Sequence, residues 1–106
     1  MSFNNVITKI MQSTFTDQAK AYAVELMFKY KEEHGTDLSL LKRDTEKVLL
    51  SGAKNWKQYS EGGLSLIALE DIKERISPTK DFDSDTLMHL QLCYLEDAYY
   101  LITRII

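Results

Sequence analysis

His89, Cys93 and Glu96 stand at i, i+4 and i+7. On one helix these positions share a face, and imidazole, thiolate and carboxylate are the ligand types that zinc takes. The trio lacks a fourth ligand or a substrate pocket, and the other histidine, His34, belongs to no motif. The spacing is therefore read as a semi-polar stripe along a bundle edge, with Cys93 a small packed residue rather than a nucleophile. Asp81-Phe82-Asp83-Ser84-Asp85 opens like a calcium loop, with carboxylates at alternate positions for a hard cation. Its sixth position is Thr86, where the loop needs glycine, and its twelfth is Leu92, where it needs a bidentate glutamate. These acids read instead as helix caps and first-turn charges, or as an acidic patch for a partner. Arg43, Lys47 and Lys54, at i, i+4 and i+11, form a basic line with Trp56 and Tyr59 beyond it for stacking on bases. Asp44 and Glu46 interrupt that line, and Ser60-Glu61-Gly62-Gly63 lacks the lysine of a phosphate-cradling loop, so it reads as a helix stop. No nucleophile stands beside a base and an orienting group, and no metal set is complete. The chain is predicted not to be an enzyme and to use no metal or cofactor.

These side chains need elements to carry them. A chain of 106 residues, 44% apolar and 27% charged, with 4 glycines and 1 proline, has the makeup of a helix-rich globular protein. It is long enough for one core and too short for two, so one helical domain over residues 1–106 is predicted. The single cysteine forms no internal disulfide, no apolar run approaches the length that spans a bilayer, and the first residues lack a charged and then apolar leader. The expectation is a cytoplasmic protein with no membrane partner.

The predicted architecture is all-α, a compact bundle of about five helices with a long apolar C-terminal helix. Phe3, Val6, Ile7, Ile10 and Met11 mark one face of a first, short helix. Thr16 caps a second, whose stripe is Ala19, Tyr22, Ala23, Leu26 and Tyr30 and whose stop is Gly35. Asp37 caps a third with a seam of Leu38, Leu41, Thr45 and Val48, leaving Arg43 and Asp44 outside it. Trp56 and Tyr59 share a helical turn before Gly62-Gly63 breaks the chain. Ser65 caps a helix with Leu69, Ile72 and Ile76 inward, ended by Ser77-Pro78. From about Ser84 onward, apolar side chains fill an arc of about 200° at 100° per residue. That is too wide for one neighbour, so the helix is either central to the bundle or half of a homodimer interface through Met88, Gln91, Leu95, Tyr99 and Ile102. Gln91 falls inside the arc, where its amide needs a partner.

Net charge is −3, which disfavours direct attraction to nucleic acid. Residues 1–58 carry nine Lys/Arg against seven Asp/Glu, and residues 59–106 carry four against nine, so the C-terminal half is the acidic pole. Running into it, Trp56-x-x-Tyr59-Ser60-x-Gly62-Gly63-x-Ser65-Leu66-Ile67, followed by Glu70-Asp71-Ile72-x-Glu74-Arg75 and Pro78, resembles a signature of small uncharacterised proteins carried by phages and mobile elements of Gram-positive and gut bacteria. The resemblance covers about residues 55–78, with a looser similarity in the C-terminal helix. It implies a genomic origin, and by association a role in disarming host defence, of which anti-CRISPR inhibition of an effector nuclease is the best-known kind. The expected function is protein binding, with Glu70, Asp71, Glu74, Asp81, Asp83 and Asp85 as an acidic face and Trp56 and Tyr59 as aromatic anchors. The alternative is a nucleic-acid-binding regulatory module using Arg43, Lys47, Lys54 and Lys57.

Overall fold

Short polar side chains start the helices. The hydroxyl of Thr16 accepts from the Ala19 amide, Asp37 from Ser39 and Leu40, Ser65 from Ala68, and Asp83 from Thr86. Each satisfies an amide that a first helical turn leaves without a partner. The computed structural model describes residues 2–61, 63–75 and 83–106. Its elements are α1 (Phe3–Gln12), α2 (Asp17–His34), α3 (Leu38–Ser51), α4 (Trp56–Ser60), α5 (Leu66–Arg75) and α6 (Ser84–Ile105). No strand occurs among the described residues. The expected inward side chain of Ile76, the stop at Ser77-Pro78, and Gly62 lie outside the described residues.

The all-α expectation holds, with six helices among the described residues where about five were expected. The extra one is the five-residue α4, which Asn55 caps by accepting from the Gln58 amide at 2.9 Å. Helix α6 packs along α2 and α3 with α1 at its side, while α5 packs against α2 and α4. The Cα radius of gyration is 12.9 Å, what a fully compacted chain of this length adopts. Val6, Ile10, Tyr22, Met27, Val48, Leu69, Ile72, Leu95 and Ile102 are the large side chains sealed from solvent among the described residues. Each contributes about 1.5–3 kcal/mol relative to exposure.

Two expectations about α6 are corrected. It is not a long apolar helix: its 22 residues are amphipathic, with His89, Cys93, Glu96, Tyr100 and Arg104 exposed along the outer side. Nor does it present the expected interface residues as a surface. Gln91, Leu95, Tyr99 and Ile102 are buried within this one chain, and of the five interface residues expected only Met88 stays open, at 46% exposure. The physical reason is placement: a helix packed on α1, α2 and α3 consumes a wide apolar arc internally. As its burial requires, the Gln91 side-chain amide donates to the Lys73 carbonyl at 3.4 Å.

A third correction concerns Asp44, which spacing left on the outside of α3. It is only 8% exposed. The Tyr30 hydroxyl donates to its Oδ2 at 2.7 Å, and Arg43 donates to its Oδ1 through Nε and a terminal nitrogen, both at 3.1 Å. A carboxylate leaves water at tolerable cost only when paired in this way. Gly63 lies directly above it with φ 113°, a backbone that side chains rarely adopt. A Cβ there would stand 2.8 Å from Asp44 Oδ2.

Candidate protein-binding groove

The C-terminal half of α2 and the whole of α5 run side by side, and their facing residues are mostly acidic. Lys29, Glu32 and Glu33 share a face of α2 because they are three and four residues apart. Glu70, Asp71 and Glu74 share a face of α5 for the same reason. Together with Ser65, Ile67 and Ala68 they line an open groove of about 380 Å³. Five carboxylates against one lysine give that lining a net charge of −4.

Two contacts pin the walls. Lys29 Nζ meets Asp71 Oδ2 at 2.5 Å, and Arg75 Nε approaches the other Asp71 oxygen at 3.4 Å. The Lys29 hydrogen bond holds the Asp71 carboxyl below the usual carboxylate range, and the same bond raises the Lys29 ammonium. One turn further along α2, Glu33 accepts from the Ser65 amide at 2.9 Å and from its hydroxyl at 2.6 Å, tying the start of α5 to α2. His34 contacts the Gly63 carbonyl beside it. Glu70 and Glu74 are exposed and form no ion pair among the described residues. At the rim, Ile67 is 83% exposed, with Leu66 half-exposed next to it.

Known proteins add nothing to this picture. No family model, no curated protein and no solved structure matches the chain. The groove therefore stands on its own geometry.

The structure brings together only part of the expected acidic face. Glu70, Asp71 and Glu74 converge on the groove. Asp83 is spent as the cap of α6, its carboxyl lowered by the Thr86 backbone hydrogen bond, and Asp85 is exposed in the first turn; neither lines the groove. Asp81 lies outside the described residues. The aromatic anchors are corrected outright. Trp56 is 8% exposed, with Lys73 Nζ 5.6 Å from its ring centroid, and Tyr59 stacks on Tyr99 with centroids 5.4 Å apart. Both belong to the core, because the short α4 turns them inward against α5 and α6.

Burying those rings also removes the stacking platform beside the basic line. Lys47, Lys54 and Lys57 are exposed, but Arg43 bonds Asp44, leaving a mixed-sign solvated face. Sequence reasoning missed Lys29, Glu32, Glu33 and Ile67 as groove residues. The signal for Ile67 was present: it lies two and five residues before the inward Leu69 and Ile72, out of helical register, which leaves it facing solvent.

Proposed function

We propose that this chain is a non-enzymatic binding protein, carried by a phage or mobile element, that acts in the cytoplasm of a bacterial host. Its target is a host nucleic-acid-processing complex of the CRISPR effector nuclease kind, met through the groove between α2 and α5. The observation that carries the reading is five carboxylates around one lysine with an exposed isoleucine at the rim. Surfaces that hold nucleic acid are dense in Lys and Arg, so an acidic groove competes for the same cations and is steered to them at long range. Rim charges fix orientation and encounter rate more than affinity. The affinity comes from burying Ile67, about 2 kcal/mol for the side chain.

The test is inhibition of a purified guide-loaded host effector nuclease by the intact chain. Glu70→Lys with Glu74→Lys, and separately Ile67→Asp, are expected to weaken inhibition about tenfold or more, and the charge reversals to remove most of its salt dependence. All three side chains are exposed, so folding is unaffected. Inhibition that survives both sets of changes refutes the groove mechanism. Absence of inhibition by the unmutated chain refutes the target class.

A further inference from the structure

The two large apolar side chains most open to solvent among the described residues are Leu50, at 88% exposure, and Ile67, at 83%. Single exposed aliphatics are ordinary, but these two sit in surfaces of opposite sign. Ile67 lies on the groove between α2 and α5, whose lining carries five carboxylates against one lysine. Leu50 lies in the last turn of α3. Lys47 stands three residues before it on the same helix, and Lys54 and Lys57 follow in the approach to α4 and in α4 itself. All three lysines are exposed.

None of the three enters an ion pair among the described residues. Asp44 is taken up by Arg43 and Tyr30, while Glu46, half-buried one turn before Leu50, and Glu96, which lines a hollow with Lys54, pair with none of them. A nucleic acid wants a long basic track and stacking rings, and here Trp56 and Tyr59 are turned into the core. A compact acidic patch with an apolar centre is the better match, and the chain carries one.

We propose that the α3 face of one copy of this chain docks into the α2–α5 groove of a second copy. Leu50 enters beside Ile67, with Lys47, Lys54 and Lys57 facing Glu70 and Glu74. Both aliphatic side chains are open in the folded chain, so the two surfaces do not meet within one copy. Because they differ, the contact is head-to-tail, and it propagates from copy to copy unless the rotation closes a ring. Opposing charges orient the encounter, while taking two aliphatic side chains out of water supplies the attraction. A contact this small belongs to the weak, transient class that buries less than about 1,200 Å². A groove filled in this way is closed to another basic partner, so where the target reading above holds, dilution releases the active form.

Sedimentation equilibrium of the intact chain at low salt is expected to show the mean mass rising above the 12.3 kDa of one copy between about 10 µM and about 1 mM, and about 0.5 M salt to remove most of the rise. Leu50→Asp and Ile67→Asp are each expected to weaken association at least about tenfold, and both positions are exposed, so folding is unaffected. The decisive sample is an equal mixture of the two variants. One brings an intact groove and the other an intact Leu50 face, so the mixture regains association but stops at the dimer. A mass of one copy up to about 1 mM for the unmutated chain overturns the proposal and leaves the groove to a foreign partner. Association that survives either substitution overturns it too, as does a mixture no heavier than its components, the result of contact between like surfaces. No nuclease enters the measurement, so its failure leaves the target reading standing, and failure of that reading leaves this contact standing.

Discussion

Replacing Gly63 by alanine is expected to destabilise the protein by about 4 kcal/mol, although the substitution adds one methyl group to a loop. The backbone there has φ 113°, and holding a non-glycine residue in such a conformation costs about 1–3 kcal/mol. The new Cβ would stand 2.8 Å from Asp44 Oδ2 and 3.3 Å from a Tyr30 ring carbon. Neither neighbour yields cheaply, since the Tyr30 hydroxyl and the Asp44 carboxylate are joined at 2.7 Å and Arg43 holds the other oxygen. Displacing Asp44 sacrifices a buried hydrogen bond to a charged acceptor, about 1.5–3 kcal/mol. Urea unfolding at constant m reads the loss directly, and thermal unfolding should show the midpoint lowered by about 15 °C or more. The decisive comparison adds Asp44→Ala, which removes the atom the methyl strikes. The double variant is then expected to be more stable than the sum of single effects by about 1–2 kcal/mol. A loss below about 1 kcal/mol, or effects that add within about 0.5 kcal/mol, refutes the steric account.

Leu95→Ala and Ile102→Ala, at positions sealed from solvent, are each expected to cost about 2–5 kcal/mol in urea unfolding, whereas Met88→Ala changes stability by less than about 0.5 kcal/mol. Equal small effects at all three would return α6 to the surface. Alkali offers a separate check. Tyr59 keeps its proton up to about 12 in the folded chain, and burial raises Tyr22, Tyr30 and Tyr99 as well, against 10.0 for an unburied phenol. A raised folded value stabilises fully below pH 10 and is lost as pH rises through the folded value, because the unfolded chain releases its protons first. Stability measured by urea should therefore fall steeply from about pH 10 to 12. Phenolate absorbance from these four that appears at pH 10 without unfolding would contradict their burial.

Helix positions were legible in the sequence because caps and stops are local chemistry. Thr16, Asp37 and Ser65 bond amides three or fewer residues away, and Gly35 ends α2 where a positive φ is required. What each helix touches was not legible. The wide arc of α6 allowed a central helix or a dimer seam, and only the arrangement of α1, α2 and α3 around it shows how much of the arc is used inside the chain. Asp44 broke the expected pattern because its partner, Tyr30, lies fourteen residues back on another helix. The groove was half visible: the carboxylates of α5 follow from spacing, while those of α2 join them through tertiary packing alone. Trp56 and Tyr59 failed as anchors because aromatic rings near a glycine pair serve a small core as readily as a partner.

Lys29 and Glu33 lie one turn apart on α2, and each fastens a different part of α5: one the middle of the helix, the other its cap. Two attachments, one at the start of α5 and one at its middle, hold it against α2 along its length. Under the binding role proposed above, a partner would find the groove walls already set against each other and spend little on ordering them, so differences in affinity between partners are expected to show at the departure step.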